Sequence, residues 1–185
     1  MSLHQLLLKQ QAKIAKQWFG RTVETYSPEA SLAFTRQKNP FDNPVGHTLA
    51  KETAAIVALL IEGSDPEELR LHLLPIIRMR AVQEFTPAQA ISFVYLLKLI
   101  IREELASELD GAGLEQELWH FEMRIDRMAL LAFDIYSDCQ RILCDVRLNE
   151  MKRNVANLWK RAFGDVDVDP SEALDPNCSE TCGVE

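Results

Sequence analysis

Glu117 and His120 stand three residues apart in the stretch Glu-Leu-Trp-His. On a helix, Glu-x-x-His is half of the ligand set of a di-iron carboxylate centre. The whole set needs a second such pair and two more glutamates from other helices. The chain has no second pair, since Glu68 and His72 are four residues apart. The remaining carboxylates read as solvated faces. Cys178 and Cys182 form the other weak metal candidate, but structural zinc takes four ligands and Cys-x₃-Cys supplies two. Nucleophilic catalysis finds less support. No serine or cysteine sits in a glycine-rich elbow, and no loop has the form that cradles phosphate. The expectation is a non-enzymatic protein without a cofactor, with metal binding through His120 or the tail cysteines as the alternative.

Arg78 invites a different chemistry. Its helical neighbours Leu74, Val82 and Phe85 are apolar, which places it on or beside a buried stripe. An unpaired buried charge is costly, so Arg78 is expected to pair with Asp126 or Asp134. The sharper alternative is an anion or small-ligand site shared with Arg80. Arg80, beside Gln83 and Glu84, is itself expected on the surface.

These residues must be positioned by helices, because no segment alternates with period two between turn formers. The first helix spans about Leu3 to Thr25, with Leu7, Ile14, Trp18 and Val23 inward. Ser27-Pro28 restarts a short one. A loop over residues 38–44 follows, and Asn43 caps a helix from Pro44 to about Ile61. Gly63-Ser64 stops it. Asp65-Pro66 opens a helix ending near Gln83, and the capping box Thr86-Pro87-Ala88-Gln89 opens one to about Leu109.

From about Leu114 to Phe163 there is no proline, and Leu114, Leu118, Phe121, Ile125, Met128, Ala132, Ile135, Cys139, Ile142 and Val146 recur in steps of four and three. That is the spacing of a two-helix seam, on a helix of roughly 75 Å at ~1.5 Å per residue. A second stripe, Cys144, Leu148, Met151, Val155, Leu158 and Ala162, is offset by roughly 200° around the helix. Either the helix bends near residues 141–147, or its halves bury against different things. The second is favoured: the first half packs on the domain, and the second pairs through Leu148, Met151, Val155 and Leu158 in a homodimer. After Gly164 the acidic stretch 164–185 has few large apolar residues and is expected to be a disordered tail. The domain is expected to span 1–163.

Composition sets bounds. Apolar content of 47% with 26% charge is ordinary globular composition, and a net charge of −8 argues against nucleic acid and acidic membranes as partners. The longest apolar run, Phe93 to Ile101, is interrupted by Lys98, so no membrane span is expected. The N-terminus reads as an amphipathic helix rather than a signal peptide, and neither cysteine pair reads as a secreted disulfide framework. The expected location is the cytoplasm.

Several phrases occur together in order: residues 43–47 (Asn-Pro-Val-Gly-His), residues 78–83 (Arg-Met-Arg-Ala-Val-Gln), Phe93 to Glu104, Ile125-Asp126-Arg127 with Phe133-Asp134-Ile135-Tyr136, and residues 149–153 (Asn-Glu-Met-Lys-Arg). Over about residues 10 to 155 the chain resembles the N-terminal domain of the RsbT co-antagonist RsbRD family. The resemblance implies an all-α sensor domain of bacterial stress signalling, a non-haem, globin-like dimer whose long helix leads to a phosphorylatable output domain. Here the chain stops at residue 185 without that domain, so the kinase-binding role is not carried over. Stand-alone versions of the domain occur near respiratory membrane-complex genes, so the resemblance implies a signalling or redox complex as protein partner, with a small regulatory subunit of a redox complex as an alternative role. The globin analogy also brings a haem reading, which needs a histidine aimed into an apolar pocket. His72, among Leu69, Leu71, Leu73 and Leu74, suits this better than His47 in its tight corner. The ordinary reading of either is a hydrogen-bonded boundary residue. The candidate ligand- or partner-binding residues are thus His47, Arg78, Arg80, Gln83, Asp126 and Asp134.

Overall fold

The computed structural model describes residues 2–36, 41–109 and 113–163. These are all-α: α1 (Leu3–Glu24), α2 (Pro28–Arg36), α3 (Pro44–Glu62), α4 (Pro66–Val82), α5 (Pro87–Glu104), α6 (Ala106–Leu109) and α7 (Glu115–Phe163). No strand occurs among the described residues. The chain divides into two units, residues 1–139 and 140–185. The expected acidic tail, 164–185, with Cys178 and Cys182, lies outside the described residues.

Cap chemistry sets most boundaries. Ser2 and Gln5 close a capping box on α1, and Thr86 and Gln89 close another on α5. Asp65 accepts from the Glu67 amide ahead of α4. Gly63 ends α3 in the left-handed region at φ 81°, where a side chain would be strained. The break after α5 comes earlier than the sequence pattern suggests. Helix geometry stops at Glu104, and Leu105 turns fully into the core before α6 resumes. Burying one large apolar side chain is worth about 1.5–3 kcal/mol, enough to offset the broken turn.

In the first unit α1 packs on α3 and α5, and α3 packs on α4. Ile14, Trp18, Leu49, Ile56, Leu73, Ile76, Ile77 and Phe93 are completely buried. Trp18 lies parallel to Phe93, ring centres 5.6 Å apart, and its indole N–H donates to the Phe93 carbonyl at 2.7 Å. The apolar stripe of α7 joins this core as expected: Leu118, Phe121, Ile125, Met128, Ala132, Ile135 and Cys139 are buried. α3, rather than the Phe93 run, is the helix whose length and composition reach those of a membrane span. Its Leu49, Ile56, Val57, Leu60 and Ile61 are buried in this core.

Two helical glycines separate conformational cost from space. Asn43 accepts from the Gly46 amide at 2.8 Å and donates to the Phe34 carbonyl at 2.7 Å, tying α2 to α3. A Cβ on Gly46 would lie 2.6 Å from that Phe34 oxygen, whereas one on Gly20 meets nothing within 4 Å. Gly20→Ala is therefore expected to stabilise the protein by about 0.5–1 kcal/mol through helix propensity. Gly46→Ala should lose roughly 1–3 kcal/mol to overpacking. Equilibrium urea denaturation checks both, and equal signs for the two would contradict this packing.

Candidate functional site

The expected roles of the two arginines are exchanged. Arg80 has no exposed surface, while Arg78 is exposed. The inward face of α4 is Leu69, Leu73, Ile76, Ile77, Arg80 and Ala81. Arg80 falls three and four residues after the two isoleucines, on the same stripe. Leu74 and Val82, the neighbours that suggest burial for Arg78, are themselves exposed. Neither expected partner reaches Arg78. Asp126 pairs with Lys98 at 2.7 Å, and Asp134 is exposed.

The Arg80 guanidinium makes no ion pair among the described residues. Its Nη1 donates to the Gln89 carbonyl at 2.9 Å, and its Nη2 to Thr25 Oγ1 at 2.6 Å and the Thr22 carbonyl at 3.4 Å. Tyr26, Phe85 and Phe93 surround it with ring centres 4.9, 5.0 and 4.8 Å away. The negative ring faces and the carbonyl end of α1 stand in for a carboxylate. The Nε of Arg80 is buried without a hydrogen-bond partner, and the buried Tyr26 hydroxyl faces the Arg80 guanidinium. Burial lowers the pKa of Arg80 from its ordinary value, opposed by Tyr26. Burial also raises the Tyr26 pKa, opposed by Arg80.

The turn after α4 completes the arrangement. Phe85 N–H donates to the Arg80 carbonyl and Glu84 N–H to that of Ala81, a Schellman closure. Glu84 takes the left-handed position at φ 61° that glycine usually occupies. Where that motif normally has an apolar contact, Phe85 faces the guanidinium instead. Beside this turn lies a cavity of about 370 Å³ lined by Thr25, Tyr26, Ser27, Ala30, Gln83, Glu84, Phe85 and Gln89. Gln83, a sequence candidate, thus stands at a cavity, whereas Tyr26, Ser27, Phe85 and Gln89 have no separate sequence signal. A second cleft of about 260 Å³ is lined by Arg124, Arg127, Gly63 and apolar residues of α3, α4 and α7. Arg124 Nη1 there donates to the Leu60 carbonyl at the end of α3.

The remaining candidates do not converge. Glu117 accepts from the Leu3 amide at 2.8 Å, capping α1. His120 is exposed and donates from Nδ1 to the Gln116 carbonyl. No group of three His, Cys, Asp or Glu among the described residues is placed to hold a metal. His47 is exposed. His72 does not face an apolar pocket, because its Nδ1 meets Glu52 Oε2 at 2.6 Å, and Leu71 and Leu74 point to solvent.

In α7 of the first unit, Trp119, Met123, Leu130 and Phe133 are exposed opposite the core stripe, an apolar face that the inward pattern conceals. In the second unit the core stripe ends, with Ile142 and Val146 exposed. Leu148, Met151, Val155 and Leu158 are exposed as well.

Arg80→Met removes three hydrogen bonds and leaves buried acceptors unmatched, and should cost roughly 2–4 kcal/mol. Arg78→Met should stay within about 0.5 kcal/mol of the parent. Urea unfolding of the two variants distinguishes this from the reverse assignment. As pH rises through 10, the unfolded chain loses the Tyr26 proton before the folded chain does, so stability falls on that account. Tyr26→Phe should flatten this decline, as thermal melts against pH would show.

Neither a curated protein nor a solved structure matches the chain. The model of the RsbT co-antagonist protein rsbRD N-terminal domain matches residues 12–151, most of the 185-residue chain. The phrases at Asn43–His47, Arg78–Gln83, Phe93–Glu104 and Ile125–Tyr136 fall inside the match. The chain belongs to the RsbT co-antagonist protein rsbRD N-terminal domain family.

Proposed function

We propose that this protein is a non-enzymatic regulatory domain of bacterial stress signalling. It acts as a homodimer joined through α7 and passes a state of its helical core to a partner protein along that helix. Family membership supports the regulatory role. The observation that carries the dimer is the exposed series Leu148, Met151, Val155 and Leu158. It keeps the 3–4 spacing with which two helices bury a common seam, and a helix of this kind in water leaves its apolar stripe unsatisfied. The domain in this reading is residues 1–163, with 164–185 as a tail.

The flanks of the seam suggest the chemistry of the partner. Residues 140–163 carry Arg141, Arg147, Lys152, Arg153, Lys160 and Arg161 against Asp145 and Glu150, in a chain whose net charge is −8. A basic helix of this kind favours an acidic protein surface, and the attraction weakens with salt.

Leu148→Asp combined with Val155→Asp places two charges per chain in the seam. The expected result is a monomer in multi-angle light scattering at tens of micromolar, with the melting transition of the first unit retained. A wild-type protein already monomeric under those conditions refutes the dimer.

A further inference from the structure

Arg124 and Arg127 stand one turn apart on α7, and both line the cleft between α3, α4 and α7. Like charges at this spacing oppose one another on a helix. Their own helix supplies no relief. Three and four positions away stand His120, Phe121, Arg127 and Met128 for Arg124, and Met123, Arg124, Leu130 and Leu131 for Arg127. The carboxylates between and beside them are engaged with α5, Glu122 by Arg102 and Asp126 by Lys98. Arg124 uses Nη1 on the Leu60 carbonyl, the ordinary work of a cation at a helix end. Arg127 has no such work: it makes no hydrogen bond or ion pair among the described residues. The chain carries a net charge of −8, yet no acidic residue lines this cleft among the described residues. Backbone acceptors do not balance the charge either. The Leu59 carbonyl is taken by the Gly63 and Ser64 amides, and that of Leu60 by Arg124.

We propose that this cleft binds a small hydrophobic carboxylate, its head between the Arg124 and Arg127 guanidiniums and its hydrocarbon body against Leu69, Met128 and Leu131. The order of residues along α7 carries the reading. Its cleft face runs Arg124, Arg127, Met128, Leu131, charge first and apolar after, which matches a ligand with a charged head and an apolar body. Guanidinium forks pair with both carboxylate and phosphate. A carboxylate is favoured because Leu59, Pro66 and Leu69 complete a largely apolar wall, against which a doubly charged group loses more hydration. The volume, about 260 Å³, lies just under the usual ~300–1,000 Å³ of ligand sites, so the body is a single ring or a short chain. This binding goes beyond the proposed function and does not depend on the dimer.

The test is calorimetric titration of the full chain with hexanoate and benzoate, with acetate, hexanamide and inorganic phosphate in parallel arms. Hexanoate or benzoate is expected to bind with Kd on the order of 1 mM or tighter. Acetate, which lacks the body, and hexanamide, which lacks the charge, should each be at least roughly tenfold weaker. Arg127→Gln, at an exposed position, and Leu131→Glu, which adds a carboxylate to the cleft, should each weaken binding roughly tenfold or more. Circular dichroism checks that both fold. Lys16→Gln, an exposed charge that does not line the cleft, should bind as the parent does. No binding of either carboxylate, equal binding of acetate or hexanamide, preferred binding of phosphate, or undiminished binding by folded Arg127→Gln each overturns the proposal. An equal loss in Lys16→Gln overturns it as well, because the effect is then one of net charge. Light scattering on the same samples keeps the two readings apart. A dimer that binds no carboxylate defeats only the site, and a monomer that binds one defeats only the dimer.

Discussion

The fold of the first unit turns on one buried positive charge. A guanidinium removed from water demands compensation, and Arg80 obtains it from three sources. The end of α1 supplies Thr22 and Thr25, the start of α5 supplies Gln89, and three aromatic rings close over the remaining faces. Because these groups come from α1, α5 and the turns beside them, one side chain at the end of α4 joins three helix termini. Apolar packing alone tolerates repacking. A fork of directed N–H donors tolerates much less, so this contact sets the register into which Ile76, Ile77, Trp18 and Phe93 pack.

Much of this was legible in the residues. Helix starts follow from Ser27-Pro28, Asn43-Pro44, Asp65-Pro66 and Thr86-Pro87, because cap chemistry is local. The α7 core stripe follows from its 3–4 spacing as far as Cys139. The arginine assignment does not follow. Arg78 and Arg80 both lie within a turn of apolar residues, and only the three-dimensional phase of α4 shows which one shares a face with Ile76 and Ile77. The aromatic cage is illegible for the same reason: Tyr26, Phe85 and Phe93 are 59 and 8 residues apart in sequence and meet only through tertiary packing.

α7 illustrates a second limit. A helix that is apolar on more than one face produces overlapping patterns, and the stronger hides the weaker. Leu118, Phe121 and Ile125 obscure Trp119 and Met123, which are solvent-facing although large. Among the described residues of the second unit none is buried, so the outward stripe from Leu148 to Leu158 is plain in the sequence. This exposed series is the observation on which the proposed dimer rests.

Tyr136 gives the long helix a mechanical reference. Its hydroxyl grips the carbonyl of Phe85, the residue whose ring lies on Arg80 and whose amide closes α4. The turn between α4 and α5 therefore contacts three elements at once. A hydrogen bond loses its strength steeply with angle, so rotation of Tyr136 away from this carbonyl carries a cost from the start. The long helix is thus tied to the turn by a directed contact as well as by apolar packing.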